Sequence, residues 1–201
     1  MTNRRLISIN EDFITEEEQT VLLELAKSLT EKDGWGKGVP KDSLWYDRYF
    51  HLNDLAYPTD GFGRDSERAI LDVALKIRKR VNKSIVDFMG LEKPIYADCL
   101  QLNRWRIGDI QPPHADGLNE NGEEHPYPWR EYGSIIYLNE EYEGGNLYFP
   151  QHEIEVRPKP RMLGFFPGTL EYLHGVKEIT SGIRYTLSSF WTTDPYRSDG
   201  M

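Results

Sequence analysis

The chain has 201 residues, of which 38% are hydrophobic and 28% charged, and its formal net charge is -9. These proportions are typical of one soluble globular domain, and the negative charge argues against a nucleic-acid binder. No apolar run has the length of a signal-peptide core or of a membrane-spanning helix, so no membrane association is expected. The single cysteine, Cys99, cannot form an internal disulfide. Together with the missing targeting signals, it favours a cytoplasmic location.

The N-terminal part of the sequence predicts short strands and two helices. Residues 4–9 alternate in hydrophobicity as an edge strand does. Thr15 and Glu18 have the spacing of a capping box, so a helix is expected from there to about residue 30. The next segments are predicted as a Gly-rich loop, an aromatic strand and a second loop, over residues 33–42, 45–52 and 53–64.

The second helix is the clearest predicted element. It extends from Asp65 to about Met89, with apolar residues at helical spacing on one face. Its basic stretch, residues 76–80, is interpreted as a solvated face rather than as a phosphate contact.

After Gly90 the sequence changes to many short apolar stretches separated by Gly, Pro, Asn or acidic turns. The predicted strands are residues 95–107, 132–139, 146–149, 152–157, 161–166, 170–174 and 183–192. So many short strands in one segment indicate a sandwich or a double-sheet barrel. The two helices are then expected to cover one outer face of a sheet.

The stretch "IQPPHADGLNENGEEHPYPW", residues 110–129, holds a His and an Asp two positions apart. The two prolines before His114 favour an extended backbone, in which the side chains of His114 and Asp116 point the same way. They are therefore candidate ligands of one metal ion, although an exposed polar strand end is the commoner meaning of His-x-Asp alone.

His174 is the best candidate for a third ligand. It ends "GFFPGTLEYLH", a predicted hairpin that can carry it back across the barrel to His114. Two His and one carboxylate leave coordination positions open, which suits non-haem Fe(II) with a cosubstrate and dioxygen. A closed zinc site would more often use cysteines, and Cys99 stands alone.

Arg184 lies ten residues after His174, beyond a connection that contains the turn residues Ser181 and Gly182. We expect the strand that begins there to run antiparallel beside the His174 strand and to place the guanidinium near the metal. Arginine binds carboxylates through bidentate, charge-assisted pairs, so this residue is a candidate anchor for a dicarboxylate.

His114-x-Asp116, His174 and Arg184 together resemble the Fe(II)/2-oxoglutarate-dependent oxygenase superfamily. "LQLNRWRIGDIQPPHAD" is similar to the prolyl 4-hydroxylase run Tyr-x-x-Gly-x-x-Tyr-x-x-His-x-Asp. "GSIIYLNEEYEGGNLYF" and "FFPGTLEYLHGVKEITSGIRYTLSSFW" resemble later strands of the same branch, so the likeness covers residues 95–192.

This chain departs from the prolyl 4-hydroxylase run at two positions, because Trp105 and Gln111 stand where the run has tyrosines. The Gly, His and Asp of the run are all present, at Gly108, His114 and Asp116. The departures make the substrate pocket differ from that of the branch, so the resemblance indicates the reaction class more directly than the substrate.

The resemblance implies a fold that is mainly β with flanking helices. It would be a double-stranded β-helix, or jelly roll, with the N-terminal helices packed on one sheet. A single dioxygenase domain would occupy residues 1–201. Its helical support would extend over about 1–92, its catalytic core over about 93–193 and its tail over 194–201.

The resemblance also implies the occupants of the site. His114, Asp116 and His174 would hold Fe(II), with 2-oxoglutarate and O2 as cosubstrates and ascorbate as an additional reductant. Arg184 would pair with the far carboxylate of 2-oxoglutarate. The phenol of Tyr137 and the hydroxyl of Thr186 would support that carboxylate; the alternative for Tyr137 is a half-buried barrel tyrosine.

The loop over residues 117–131 is expected to be a lid beside the site, or else a plain mobile insertion. His125 in this loop is expected to be a surface histidine rather than a ligand. The candidate substrate contacts are Trp105, Tyr127, Trp129 and Trp191. For Trp191, a place in the core is the alternative.

The implied activity is hydroxylation of a prolyl residue in a protein or peptide, with release of succinate and CO2. The alternatives are hydroxylation of a small molecule such as a free amino acid, and a metal-binding jelly-roll module without turnover. Between Asp109 and Glu143, nine acidic residues face a single base, Arg130. This is either a solvated acidic loop or a rim that attracts a substrate with a basic segment. The sequence leaves the oligomeric state open.

Overall fold

The computed structural model describes residues 6–29, 35–36, 43, 45–56, 65–119 and 124–200. The helices are α1 Glu16–Ser28, α2 Asn53–Ala56 and α3 Asp65–Met89. The first six strands are β1 Ser8–Asn10, β2 Tyr49–His51, β3 Tyr96–Trp105, β4 Gln111–His114, β5 Tyr132–Tyr137 and β6 Tyr142–Gly144. The others are β7 Leu147–Phe149, β8 Ile154–Val156, β9 Leu163–Pro167, β10 His174–Val176, β11 Ile179–Gly182 and β12 Arg184–Thr192. Within these ranges no helix has both the length and the apolar character that crossing a bilayer requires.

Two antiparallel sheets form the body of the molecule. The large sheet has six strands in the order β1-β9-β5-β12-β3-β2, and the small sheet has four in the order β4-β10-β7-β8. Strands β6 and β11 pair as a separate two-stranded ribbon. From β3 onward the chain passes repeatedly from one sheet to the other, which is the double-stranded β-helix that the resemblance implied.

The helices and the small sheet cover opposite faces of the large sheet. On one face, α1 and α3 contribute to the main core together with β3, β5, β9 and β12. The members of this cluster include Leu22, Leu25, Ala74, Ile77, Leu100, Leu102, Ile136, Phe165, Leu187 and Trp191. On the other face, Leu147 and Phe149 of the small sheet pack with Phe166 of the large sheet. The large sheet is therefore covered on both faces. The sequence predicted the face that the helices cover.

Helix α1 begins at the predicted capping box. The backbone N–H of Glu18 donates to Thr15 Oγ1 at 3.2 Å, and the backbone N–H of Thr15 donates to Glu18 Oε2 at 3.0 Å. These bonds satisfy two N–H groups that the first helical turn leaves without partners. The predicted start of α1 is confirmed.

Several predicted elements differ from the structure. Residues 45–48 form turns rather than strand, and Asn53–Ala56 is a short helix rather than loop. A strand was predicted over 170–174, but Leu170–Tyr172 forms a 3-10 turn. At this turn the chain crosses from β9 of the large sheet to β10 of the small sheet. Ile179–Gly182 is strand β11, because β6 offers it a partner. The predicted loop over 33–42, apart from 35–36, lies outside the described residues, as do residues 4–5 and 57–64.

Candidate metal centre and anion pocket

His114 and His174 face each other across neighbouring strands of the small sheet. They are directly paired residues of β4 and β10, with ring centroids 4.5 Å apart. Asp116 follows β4 by two residues, and its Oδ1 lies 3.8 Å from Nε2 of His114 and 3.5 Å from Nε2 of His174. One ligand atom from each side chain lies within 4.8 Å of the others. The three predicted ligands are thus brought together where they could hold one metal ion.

Both imidazoles are oriented by backbone carbonyls. Nδ1 of His114 is 3.1 Å from the Pro112 carbonyl oxygen, and Nδ1 of His174 is 3.1 Å from that of Tyr172. A carbonyl only accepts hydrogen bonds, so each Nδ1 carries the hydrogen and each Nε2 keeps its lone pair for a metal. Burial lowers the pKa of His114, and the neighbouring His174 lowers it further, which favours the neutral, metal-binding form.

Asp116 sits in a space that two glycines leave open. A Cβ on Gly133 would lie 2.6 Å from Asp116 Oδ2, and one on Gly168 would lie 3.0 Å from Asp116 Cβ. The backbone N–H of Asp116 also donates to the Gly168 carbonyl at 3.1 Å. No motif in the sequence marks Gly133 or Gly168 as site residues, because they gain this role only where strands distant in sequence approach Asp116.

The Asp116 carboxylate has the properties of a metal ligand. Burial raises its pKa, but His174 and His114 outweigh burial, so the net direction is down and the ionised form is favoured. Oδ2 is buried and has no hydrogen-bond partner among the described residues. Buried carboxylates are normally paired or bound to a metal, so this donor set fits a divalent cation such as Fe(II).

Arg184 is buried in the interior of the same barrel, without a counter-charge among the described residues. It is 1% exposed, and one guanidinium nitrogen, Nη1, donates to the Gly145 carbonyl. Its Nε has no partner, and no carboxylate among the described residues pairs with it. Burial lowers the pKa of Arg184, which reflects the cost of an isolated charge in the interior. An anion that enters this space would remove that cost, so the residues fit the carboxylate of a bound acid.

The strand that carries Arg184 does not lie beside the His174 strand, so that prediction is wrong. Strand β12 pairs with β3 and β5 in the large sheet, whereas β10 belongs to the small sheet. Side chains alternate along β12, so Tyr185 packs with the helices and Arg184 points into the barrel. There its guanidinium lies 4.9 Å from the ring of Trp105, which packs against Val176 of β10. Arg184 therefore reaches the site across the barrel.

Tyr137 and Thr186 also face the barrel interior. They are directly opposite each other on β5 and β12, and both are buried. The ring of Tyr137 lies 5.7 Å from the guanidinium carbon of Arg184, and its hydroxyl has no partner among the described residues. Burial raises the pKa of Tyr137, so the phenol keeps its proton and can donate to an anion.

The predicted substrate contacts lie in different places. Trp105 is buried, with the guanidinium carbons of Arg48 and Arg184 at 5.0 Å and 4.9 Å from its ring, so it belongs to the anion pocket. Trp191 does not contact the site; it packs in the helix-facing core, the alternative expected for it, and donates to Ser134 Oγ at 2.9 Å. It lies on the same side of β12 as Tyr185 and Leu187, because side chains alternate along a strand.

The segment after Asp116 returns to the site at its end. The guanidinium carbon of Arg130 lies 3.9 Å from the Tyr127 ring and 3.8 Å from the Phe190 ring, and its Nε donates to Asp98 at 2.7 Å. Trp129 donates to the same carboxylate at 3.1 Å. Tyr127 is exposed, so it remains a candidate substrate contact, while residues 120–123 lie outside the described chain.

The remaining polar candidates do not join the metal centre. His125 accepts a hydrogen bond from the Tyr127 backbone and, as expected, is not a member of the metal cluster. Gln111 is buried with its Nε2 3.4 Å from Nδ1 of His114, so the residue that replaces the second family tyrosine touches a ligand.

Comparison with known proteins agrees with this geometry. Residues 100–192 match the 2OG-Fe(II) oxygenase superfamily. Human prolyl 3-hydroxylase 1 is 32% identical over 145 residues, which cover 61% of this chain and 20% of that protein. The chain therefore spans about a fifth of the length of this curated relative.

Solved structures share the fold at low identity. A viral collagen prolyl hydroxylase from Paramecium Bursaria Chlorella virus-1, in a 2OG complex, superposes with a TM-score of 0.66 at 17% identity, over 96% of this chain and 98% of that one. A prolyl hydroxylase from Trichoplax adhaerens, in complex with a hypoxia inducible factor oxygen degradation domain peptide fragment, gives 0.66 at 16% identity, over 97% and 87%.

The match over residues 100–192 is to the superfamily that the resemblance in the sequence implied. The fold around them is that of the prolyl hydroxylases. The His-Asp-His cluster and the buried arginine fit the Fe(II) and 2-oxoglutarate for which the superfamily is named.

Proposed function

We propose that this chain is an Fe(II)- and 2-oxoglutarate-dependent dioxygenase that hydroxylates a prolyl residue of a protein or peptide. The observation that carries the proposal is the convergence of His114, Asp116 and His174 in a barrel that also buries the uncompensated charge of Arg184. Two His and one carboxylate leave positions open for a cosubstrate and O2. A module that only bound a metal would have no use for the isolated cation, which is costly to bury.

Each side chain has a separable task. His114, Asp116 and His174 would hold the metal, with the two Nδ1 hydrogen bonds orienting the rings. Arg184 would bind the far carboxylate of 2-oxoglutarate, with Tyr137 as a further donor. When bound, Fe(II), 2-oxoglutarate and O2 would supply the oxidising chemistry: one oxygen atom of O2 would convert a substrate C–H bond to C–OH and the other would enter succinate, with release of CO2.

The interior of the barrel protects one side of the centre from water. The ring centroids of Phe166 and Phe149 lie 4.2 Å and 5.9 Å from that of His174. The His114 side chain is 31% exposed, whereas those of Asp116 and His174 are 3% and 6% exposed. The metal would therefore be reached from the His114 side.

A prolyl substrate is supported by the relatives. The relatives found by sequence include prolyl 3-hydroxylases. The fold is also shared with a prolyl hydroxylase that was solved in complex with a peptide fragment. Within this chain, Tyr127 is exposed between the proposed ligand Asp116 and strand β5. A rigid aromatic surface of this kind suits contact with a peptide.

We also propose that the substrate has a basic segment, which exposed acidic residues of this chain would attract. Glu124, Glu140, Glu141 and Glu143 are exposed, as an acidic rim requires. Two other acids of the predicted rim are already engaged, since Asp109 pairs with Arg48 at 2.7 Å and Glu131 accepts from Thr193 Oγ1 at 2.6 Å. The attraction would rest on the exposed glutamates, so hydroxylation of a basic peptide should weaken as salt rises.

The first experiment mixes the protein with Fe(II) and 2-oxoglutarate under anaerobic conditions and records the visible spectrum. A metal-to-ligand charge-transfer band that is absent in His174→Ala supports the proposed site. The band should be retained in the control His152→Ala, because Nε2 of His152 contacts the Glu171 carbonyl at 2.8 Å and this histidine is not in the cluster. Metal binding without a band would support the metal-binding module instead.

The second experiment identifies the substrate class. Proline-containing peptides and free amino acids are incubated with the loaded protein in air, and products are scored by mass for the gain of one oxygen atom. Oxygen gained by a prolyl residue supports the proposal. Oxygen gained only by a free amino acid would move the assignment to a small-molecule hydroxylase.

A further inference from the structure

We infer that Tyr142 is an additional cosubstrate-binding residue, whose hydroxyl donates to the same carboxylate as Arg184 and Tyr137. The inference rests on the proposed function, because it adds a residue to the 2-oxoglutarate pocket. No motif in the sequence identified Tyr142, which is the first residue of strand β6.

The ribbon formed by β6 and β11 positions Tyr142. The residue is paired with Gly182 across this ribbon, and its ring packs against the cluster of Trp105, Val176 and Ile179. Strand β11 is followed directly by β12, whose first residue is Arg184. The ribbon therefore places Tyr142 close to Arg184.

Gly145 brings the Tyr142 ring and the Arg184 side chain to one place. A Cβ on Gly145 would lie 3.3 Å from Cδ of Arg184 and 3.4 Å from Cε2 of Tyr142. The backbone of Gly145 has φ +67 and its carbonyl accepts from Arg184 Nη1. The glycine therefore leaves room for both side chains and fixes one edge of the guanidinium, while Nε remains available.

Three polar groups in this space are buried and lack partners among the described residues: Tyr137 Oη, Tyr142 Oη and Arg184 Nε. Buried polar atoms are almost always hydrogen-bonded, so three orphans around one guanidinium indicate a common ligand. Burial raises the pKa of Tyr142 although Arg184 opposes it, so its phenol stays protonated and can donate.

The three orphan groups match the chemistry of a carboxylate. The guanidinium only donates, and both protonated phenols can donate, whereas an ionised carboxylate only accepts and has about four lone-pair sites. One carboxylate can therefore satisfy all three groups at once. A neutral or cationic end group would leave at least one donor unpaired in the interior.

The test compares Tyr142→Phe with the control Tyr185→Phe, which removes a hydroxyl one residue after Arg184 on the helix-facing side of β12. The dissociation constant of 2-oxoglutarate is measured anaerobically with Fe(II) by the charge-transfer band. Loss of a hydrogen bond to a charged group should weaken binding about tenfold or more in Tyr142→Phe, with no change in Tyr185→Phe.

Thermal unfolding without ligands separates this role from a structural one. Because the Tyr142 hydroxyl has no partner among the described residues, Tyr142→Phe should melt no lower than the parent protein. A lower melting temperature with an unchanged dissociation constant would overturn the inference and make the hydroxyl structural. An unchanged constant alone also overturns it and leaves the proposed function standing. Failure of the parent protein to bind 2-oxoglutarate would overturn both.

Discussion

At the scale of single residues, the barrel interior holds charges of two kinds. Asp116 lies between two imidazoles, and a metal ion would complete its surroundings. Arg184 is surrounded by aromatic rings and a carbonyl, with no acid among its described neighbours. The first arrangement is a cation site and the second an anion site. A dicarboxylate that also touches the metal would join them.

Arg184→Met should separate ligand binding from folding. The methionine keeps most of the side-chain length and removes a buried charge that no described carboxylate compensates, so the ligand-free protein should unfold at an equal or higher temperature. Affinity for 2-oxoglutarate should fall about a hundredfold, because charge-assisted bonds are lost, while metal affinity is retained. Calorimetry with Fe(II) and then 2-oxoglutarate measures both constants. Unchanged 2-oxoglutarate affinity would exclude Arg184 as the anchor.

His51 provides a pH-dependent prediction away from the metal ligands. Burial lowers its pKa below the ordinary value of 6.5, although Asp54 opposes this shift. Between that lowered pKa and 6.5 the unfolded chain binds more protons than the folded chain, so the unfolding free energy decreases as pH falls through this window. His51→Gln should reduce this slope, as measured by urea unfolding between about pH 8 and pH 5. An identical slope in the variant would contradict the assigned cause.

At the scale of elements, helices support the large sheet from outside and strand glycines shape the site from inside. The capping box of α1 acts on stability alone, because α1 contacts the face opposite the metal ligands. The glycines of β5 and of the loop after β9 act on the site, because their missing side chains make room for Asp116.

Thr15→Ala should destabilise the fold without changing the site. The variant removes the side-chain acceptor of the Glu18 N–H, which costs about 1 kcal/mol of unfolding free energy. Thr20→Ala is the matched control, since it lies inside the same helix and its hydroxyl only donates back to the Glu16 carbonyl. Denaturant unfolding measures both variants. A loss of metal affinity in Thr15→Ala would show that α1 influences the site after all.

Gly133→Ala should weaken metal binding specifically. Its Cβ would lie 2.6 Å from Asp116 Oδ2 and 3.0 Å from the Phe166 ring, so the carboxylate must move. Mutating a residue that orients a metal ligand typically lowers metal affinity about tenfold to a hundredfold. Gly164→Ala on β9 is the control, because its Cβ would meet the flexible end of Ile9 at 3.3 Å and Leu147 at an ordinary 3.9 Å, with no metal ligand among these contacts. Fe(II) titration distinguishes them, and equal affinities would contradict this role of Gly133.

At the scale of the whole molecule, a metal ion would connect the two sheets. His114 and His174 belong to the small sheet, whereas Asp116 is held by Gly168, which follows β9, and by Gly133 of β5 in the large sheet. The metal would therefore join elements that otherwise meet mainly through apolar contacts such as Phe149 with Phe166.

Metal binding should raise the stability of the whole fold. At a free concentration of about one hundred times the dissociation constant, the gain is about 2.7 kcal/mol. For a chain of this length that gain corresponds to a rise in melting temperature of about 5–10 °C. Scanning calorimetry with Fe(II), and again after chelation, measures the difference. His174→Ala should melt at the same temperature in both conditions; a remaining metal-dependent rise would place the stabilising ion elsewhere.

The sequence by itself determined the features that depend on local periodicity. The spacing of two along an extended backbone places the side chains of His114 and Asp116 on one side. The capping box of α1 and the apolar stripe of α3 are equally local, and both were predictable. These patterns act between residues close in sequence, where backbone geometry alone determines the relation.

Only the tertiary structure decided which strands are neighbours and which small residues matter. Strand β12 pairs within the large sheet, so Arg184 meets the site across the barrel, which the spacing from His174 did not reveal. Gly133, Tyr142 and Gly145 acquire their roles because strands distant in sequence approach within a few ångströms. Trp191 lies in the core because the helices cover its side of β12, and only the tertiary structure shows which side they cover. Such contacts arise from the packing of two sheets against each other, and no local pattern in the chain encodes them.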